Sequence, residues 1–384
     1  MKSLGIDIGS SSVKVSLLDI ETGNCVVSAT CPDSEMCIVA LRNGWAEQDP
    51  DMWWDYVCQG IRKVSGSCPM SDVAAIGITY QVHGLVLVSE GGKPLRHSII
   101  WCDSRAVDIG ADAFESIGRD FCLSHVLNSP GNFTASKLAW VRWNEPEVFK
   151  KAYKALLPGD YIAYRLTGNI STSISGLSEQ ILWDFKEERR ADFIADHYGI
   201  PHGMIPEAVP SMGIFSYTDA AAERLLGIPE GTPVSYRAGD QPNNAFSLNV
   251  MEPGEIAATA GTSGVVYGVV DTPKADPLSR VNTFVHVNHV RDMPRFGILL
   301  CINGTGIMNS WARKNVMQGR AGQPIPLPFV QKDSCNSIRC RNRALQYGRG
   351  FGSCAWSRSR GRAVQFARGG IFIPENCRND RPFR

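Results

Sequence analysis

Two small-residue turns and a few carboxylates carry most of the chemistry legible in this sequence. Asp7 lies at the end of Leu4-Gly5-Ile6-Asp7-Ile8, directly before Gly9-Ser10-Ser11-Ser12. A turn of this kind exposes consecutive backbone N–H groups and hydroxyls, which suit phosphate oxygens. A carboxylate at its mouth can hold Mg²⁺ next to those phosphates; the plainer reading is a strand-end turn former in an ordinary hairpin. A second turn, Gly261-Thr262-Ser263-Gly264, follows Ala258-Thr259-Ala260 in the same way, with Val265 placed like Val13 four residues after its glycine. Two such turns facing across a cleft would grip one polyphosphate. Asp240, in Ala238-Gly239-Asp240-Gln241, is placed between them in the chain and could accept a proton from a substrate hydroxyl. A last group suits a polyol: Gln81-Val82-His83-Gly84 and Trp101-Cys102-Asp103-Ser104-Arg105. Gln81, His83, Asp103 and Arg105 offer amide, imidazole, carboxylate and guanidinium to hydroxyls, and Trp101 offers a face to C–H surface.

These residues need rigid elements behind them. Leu4, Ile6, Ile8 and Val13, Val15, Leu17 alternate on either side of the first turn, which predicts two strands, and Cys25–Ala29 predicts a third. Asp49-Pro50 opens a helix with an N-cap and an N1 proline, and Trp53, Val57 and Ile61 give it one buried face. Val73–Thr79 and Leu85–Val88 read as buried strands. Further helices are signalled at Thr134–Trp143, at Tyr161–Leu166, and from Thr218-Asp219 to Leu226 with Gly227 as the stop. The pattern is α/β, with a first domain expected over residues 1–245.

The formal charge of +1 over 384 residues conceals an uneven chain. Residues 316–384 hold 12 Arg and one Lys against Asp333, Glu375 and Asp380, a net +10, which leaves −9 for residues 1–315. The Arg-Gly and Arg-Ser runs of that tail are compatible with RNA binding; out-of-frame translation explains them more simply, and on that reading no nucleic-acid partner is expected. No apolar run approaches the ~18 residues of a membrane span, and the N-terminus shows no signal-peptide pattern. The 12 Cys have no CxxC or zinc spacing. Reduced thiols and a cytoplasmic location are therefore expected.

Eight segments occurring in order resemble the FGGY carbohydrate kinases, and among them the xylulokinases most. They are Gly5–Lys14, Trp45-Ala46-Glu47-Gln48-Asp49-Pro50, Gln81–Gly84, Trp101–Arg105, Phe133–Val141, Leu157–Tyr161, Gly239–Gln241 and Gly261–Gly264. The resemblance implies an actin-like ATPase, ribonuclease-H-like pair of domains, with ATP and sugar in the cleft between them. It implies Asp240 as the general base, Asp7 and Asp240 at Mg²⁺, and Asp7, Gly9, Ser10, Ser11, Ser12, Gly261, Thr262 and Ser263 around ATP. It places Gln81, His83 and Asp103 at the sugar, with Trp101 and Arg105 of the polyol set beside them, and implies phosphorylation of D-xylulose to D-xylulose 5-phosphate. Other FGGY kinases, for ribulose, glycerol or gluconate, remain alternatives, as does an inactive sugar- or nucleotide-binding product. The segments stop near residue 315, so the second domain is expected to begin at 246 and to be incomplete, without its Gly-rich adenine wall. A homodimer is compatible with the sequence.

Overall fold

The computed structural model describes residues 1–260 and 264–302, followed by the backbone alone of short strand segments between Asn336 and Phe372. The expected tail over 316–384 and the turn residues Gly261, Thr262 and Ser263 lie outside the described side chains.

Six strands form the first sheet, in the order Met212–Tyr217, Pro233–Gly239, Val73–Tyr80, Lys2–Ile8, Val13–Asp19, Cys25–Cys31. The Lys2–Ile8 strand runs parallel to Val73–Tyr80, which runs parallel to Pro233–Gly239. The outer strands pair antiparallel. A parallel centre requires apolar cover on both faces, and the near-continuous burial of Leu4, Ile6, Ile8, Ile76, Ile78 and Tyr80 meets that need. The helix Pro50–Ser65 covers one face; the Asp49 side chain accepts a hydrogen bond from the Asp51 N–H, and Trp53, Val57 and Ile61 are fully buried. This helix lies so close to the second strand that a Cβ at Gly60 would stand 2.5 Å from Val15 Cγ2.

Register then fixes the functional end of the sheet. Asp7 sits opposite Thr79, Thr79 opposite Ala238, and Tyr80 opposite Gly239. Asp7, Gln81 and Asp240 thus leave adjacent strands at their carboxyl ends, where open α/β sheets bind ligands.

The strands flanking the second small-residue turn also pair with each other. Ile256–Ala260 pairs antiparallel with Gly264–Val270, as Lys2–Ile8 does with Val13–Asp19. Phe296–Ile302 and Asn282–Val285 extend this second sheet. Its Val265, Tyr267, Val269 and Phe296 join one apolar core with Leu138, Ile181, Leu182 and Phe185 of the preceding region. Polar side chains fasten the strand Asn282–Val285 to that region. The fully buried Asn128 donates to the carbonyl of Thr283 at 2.8 Å and accepts from its N–H at 3.0 Å. Ser175 donates to the Val285 carbonyl, and the Val285 N–H donates to Ser178.

Replacing Asn128 by Ala leaves both backbone groups of Thr283 unpaired in the interior. We expect Asn128→Ala to destabilise the protein by about 2–4 kcal/mol, read as a lower midpoint in urea denaturation. A loss under 0.5 kcal/mol would show that the clamp contributes little.

Candidate active site

Asp240 is the first residue of the helix Asp240–Ser247, immediately after the strand ending at Gly239. Gly239 is required there, because a Cβ would meet Val82 Cγ1 at 2.4 Å and Glu179 Oε2 at 2.9 Å. Among the described residues, Asp240 Oδ1 is sealed from solvent with no hydrogen-bond partner. Burial, and then the negative charge of Asp7, push the Asp240 carboxyl up to about 7. Lys14 Nζ lies 3.3 Å from Asp7 Oδ2. An unpartnered buried oxygen beside a second carboxylate suits either a proton acceptor or a cation ligand.

The Gly9–Ser12 turn closes the first hairpin, with the Gly9 N–H donating to the Ser12 carbonyl at 3.1 Å. Ser11 is exposed, and Gly9, Ser10 and Ser12 are half-buried, so the turn faces outward at the same strand end as Asp7. Gln48 connects it to the polyol residues. Gln48 Nε2 donates to the Ser10 carbonyl at 2.7 Å, while its Oε1 accepts from Gln81 Nε2 at 3.1 Å and from the Trp53 indole. Gln81 is buried, and its Oε1 has no partner among the described residues.

His83 adopts a left-handed backbone with φ 60°. Its Nδ1 lies 3.0 Å from the Glu179 carbonyl. That contact assigns Nδ1 as the donor and leaves Nε2 as an acceptor if the ring is neutral. Burial, reinforced by the Lys137 charge, depresses the imidazole to about 3 and keeps it neutral. Lys137 is itself fully buried and donates from Nζ to the carbonyls of His83 at 2.9 Å and Ile100 at 3.0 Å. Burial lowers it to about 7; a neutral amine has two N–H donors, enough for these two carbonyls. It thereby ties the Gln81–Gly84 segment to Trp101–Arg105.

The remaining expected sugar residues behave differently. Asp103 is fully buried, and its carboxylate accepts from the Ala46 N–H at 2.6 Å and from the backbone and guanidinium of Arg105. The Arg105 guanidinium also pairs with Glu47 at 2.7 Å and lies over the rings of Trp45 and Trp140. Both groups are engaged inside the protein, which makes them supports of the loop rather than open ligands. Trp101 is 39% exposed. The structure therefore brings together Asp7, the first turn, Gln81, His83 and Asp240, and sets Asp103 and Arg105 behind them.

Sequence reading left three neighbours without a role. Gln48 and Lys137 stand inside the Trp45–Pro50 and Phe133–Val141 segments, but nothing in their spacing marks them as links. Glu179 ends the helix Ile174–Glu179 and receives a 2.6 Å hydrogen bond from the buried Tyr80 hydroxyl. Burial holds its carboxyl well above the usual carboxylate range. A signal was available: Glu179 is the only charged residue between Arg165 and Asp184.

For Mg²⁺, the paired Asp7 and Asp240 fit a hard cation that takes one or two carboxylates and completes its shell with phosphate oxygens and water. No cluster of three or more metal-ligating side chains exists among the described residues. Nor, among them, is any helix long and apolar enough to cross a membrane.

This sheet, with hydroxyl turns and carboxylates at its carboxyl edge and a second hairpin of the same form, defines an actin-like α/β fold. The model of the FGGY family of carbohydrate kinases, N-terminal domain, matches residues 3–247. The chain belongs to the FGGY family of carbohydrate kinases. It is 29% identical over 283 residues to the xylulose kinase of Escherichia coli, covering 74% of this chain and 57% of that one. It is 30% identical over 283 residues to the xylulose kinase of Streptomyces rubiginosus, covering 73% and 57%. The crystal structure of xylulose kinase from Rhodospirillum rubrum superimposes with a TM-score of 0.75 at 25% identity, over 83% of this chain and 64% of that one. The chain thus spans a little over half the length of the curated relatives it matches.

The Lys137 geometry gives a signed expectation. Its native value lies near 7 against 10.5 in the unfolded chain, so between those values the unfolded state binds more protons. The stability that Lys137 contributes therefore rises with pH through this window and is smallest below 7. Lys137→Met should cost more stability at pH 9 than at pH 6 in paired urea titrations. An equal cost at both pH values would mean that the lysine keeps its charge.

Proposed function

We propose that the chain carries the sugar- and phosphate-binding part of an ATP-dependent ketose kinase, with D-xylulose as the substrate and D-xylulose 5-phosphate as the product. The observation that carries this reading is Asp240 Oδ1, a sealed carboxylate oxygen with no partner among the described residues, at a strand end shared with Asp7 and the Gly9–Ser12 turn. Similarity to the two xylulose kinases supports the choice of sugar.

In this reading Gln81 Oε1 and His83 Nε2 accept hydrogen bonds from sugar hydroxyls and orient the chain of the ketose. Asp240 takes the proton from the terminal hydroxyl as its oxygen attacks the γ-phosphorus in line. N–H groups and hydroxyls of Gly9, Ser10, Ser11 and Ser12 receive phosphate oxygens, and Gly261, Thr262 and Ser263 are proposed to do the same from the opposite hairpin. Asp7 and Asp240 would hold Mg²⁺, which supplies neutralisation of the developing phosphate charge. Most of the rate then comes from positioning and charge balance, since the phosphoryl group needs little covalent help. We also propose a division at about residue 245, with residues 246–315 opening the second domain. No membrane or nucleic-acid partner belongs to this reading.

Asp240→Asn keeps shape and polarity while removing the proton acceptor. It should lower ketose-dependent ADP release by about 10²–10⁴-fold and leave the ketose dissociation constant within about threefold, measured by calorimetry. Turnover near that of the unaltered chain would rule out the base assignment.

A further inference from the structure

Glu179 sits at the proposed sugar site and has no part in the chemistry described so far. Its side chain is only 5% exposed. The two carboxyl oxygens have different surroundings. Oε1 accepts the Tyr80 hydroxyl at 2.6 Å. Oε2 lies 4.0 Å from His83 Nδ1 and 2.9 Å from where a Cβ on Gly239 would stand. It therefore points between the residue that orients the ketose and the residue preceding the base. Three polar atoms at the same sheet edge, Thr79 Oγ1, Gln81 Oε1 and Asp240 Oδ1, are buried and unpartnered among the described residues. Leaving one such atom unpaired in the interior costs about 1–3 kcal/mol, so a set of them at one sheet edge points to a polar ligand that pairs them.

The charges around this set limit what that ligand can be. Lys137 Nζ is occupied by two carbonyls. Arg105 is paired with Asp103 and Glu47, and Arg237 with Asp160. His83 is neutral. At the sugar end, then, carboxyl groups are present, and among the described residues Lys137, Arg105 and Arg237 each already have a partner. A substrate carboxylate would meet Glu179 and Asp240 with nothing to balance it, whereas a hydroxyl can donate to either.

We infer that Glu179 is a specificity-determining residue, presenting Oε2 to a hydroxyl of an uncharged ketose or polyol and turning away sugar acids. This rests on the kinase reading above. Its chemical basis is that a site built to hydrogen-bond a hydroxyl discriminates strongly against ligands that leave its buried polar groups unpaired. The bond to Tyr80 fixes the Glu179 rotamer.

The test uses the full chain and calorimetric binding of D-xylulose and D-gluconate without nucleotide, so that it does not depend on turnover. The unaltered chain should bind D-xylulose at least tenfold more tightly than D-gluconate. Glu179→Leu should weaken D-xylulose binding at least tenfold. Glu179→Gln, which can still accept the Tyr80 hydroxyl, should hold D-xylulose within threefold and narrow the preference over D-gluconate at least fivefold, because an amide offers N–H donors to a carboxylate and cannot become negative. Tyr80→Phe removes only the rotamer-fixing bond and should leave D-xylulose binding within threefold. If Glu179→Leu binds D-xylulose normally, or if Tyr80→Phe reproduces its loss, the inference is overturned while the kinase reading stands. If the unaltered chain binds neither sugar, the kinase reading fails and the inference falls with it.

Discussion

The site depends on two carboxyl groups, Asp240 and Glu179, held out of water with no charged partner beside them among the described residues. Asp240 shows this most directly. One of its oxygens is buried and unpartnered among the described residues, and Asp7 adds a like charge nearby. An arrangement of that kind weakens the apo protein and is tolerable where a ligand later satisfies it. Mg²⁺, a phosphate-bound cation shell and a sugar hydroxyl are the partners that such a carboxylate pair would accept. The parallel register of the Lys2–Ile8, Val73–Tyr80 and Pro233–Gly239 strands brings Asp7 and Asp240 together, since each leaves its strand at the same edge.

Behind that edge, the supports are made of side chains bonded to backbone. Lys137 holds the carbonyls of His83 and Ile100, and Gln48 joins the Ser10 carbonyl to Gln81. Arg105 lies over Trp45 and Trp140 while pairing with Asp103 and Glu47. A guanidinium over aromatic faces with two carboxylate partners is stiff and dry, and it fixes the loop that carries Trp101. Through these contacts the phosphate turn and the polyol residues are held as one unit. A shift of either would be felt at the other.

Much of the fold was legible because its signals are local. Asp49-Pro50, Gly227 and the alternation on both sides of Gly9–Ser12 each act through the backbone of their own segment, and the structure has the expected caps, turns and strands. The resemblance between Ile6–Val13 and Ala258–Val265 likewise corresponds to two hairpins of the same form. The strand Asn282–Val285 was not anticipated, since its anchorage runs through Asn128, Ser175 and Ser178, more than 100 residues away. At the site, residue type suggested the chemistry of Asp103 and Arg105 but not where it is directed. A carboxylate and a guanidinium two residues apart can face a sugar or each other, and here they face each other. Glu179 was missed for the opposite reason: it belongs to no motif, and only burial beside Tyr80 and His83 gives it significance.

The central claim is that the unpartnered oxygen of Asp240 exists to meet a hydroxyl of the sugar. A crystal structure of this chain with bound D-xylulose and a non-hydrolysable ATP analogue tests it most directly. The account predicts the terminal hydroxyl of the ketose within about 3.2 Å of Asp240 Oδ1, with other hydroxyls on Gln81 and His83. A sugar bound elsewhere, or an Asp240 that faces only water in the complex, would contradict it.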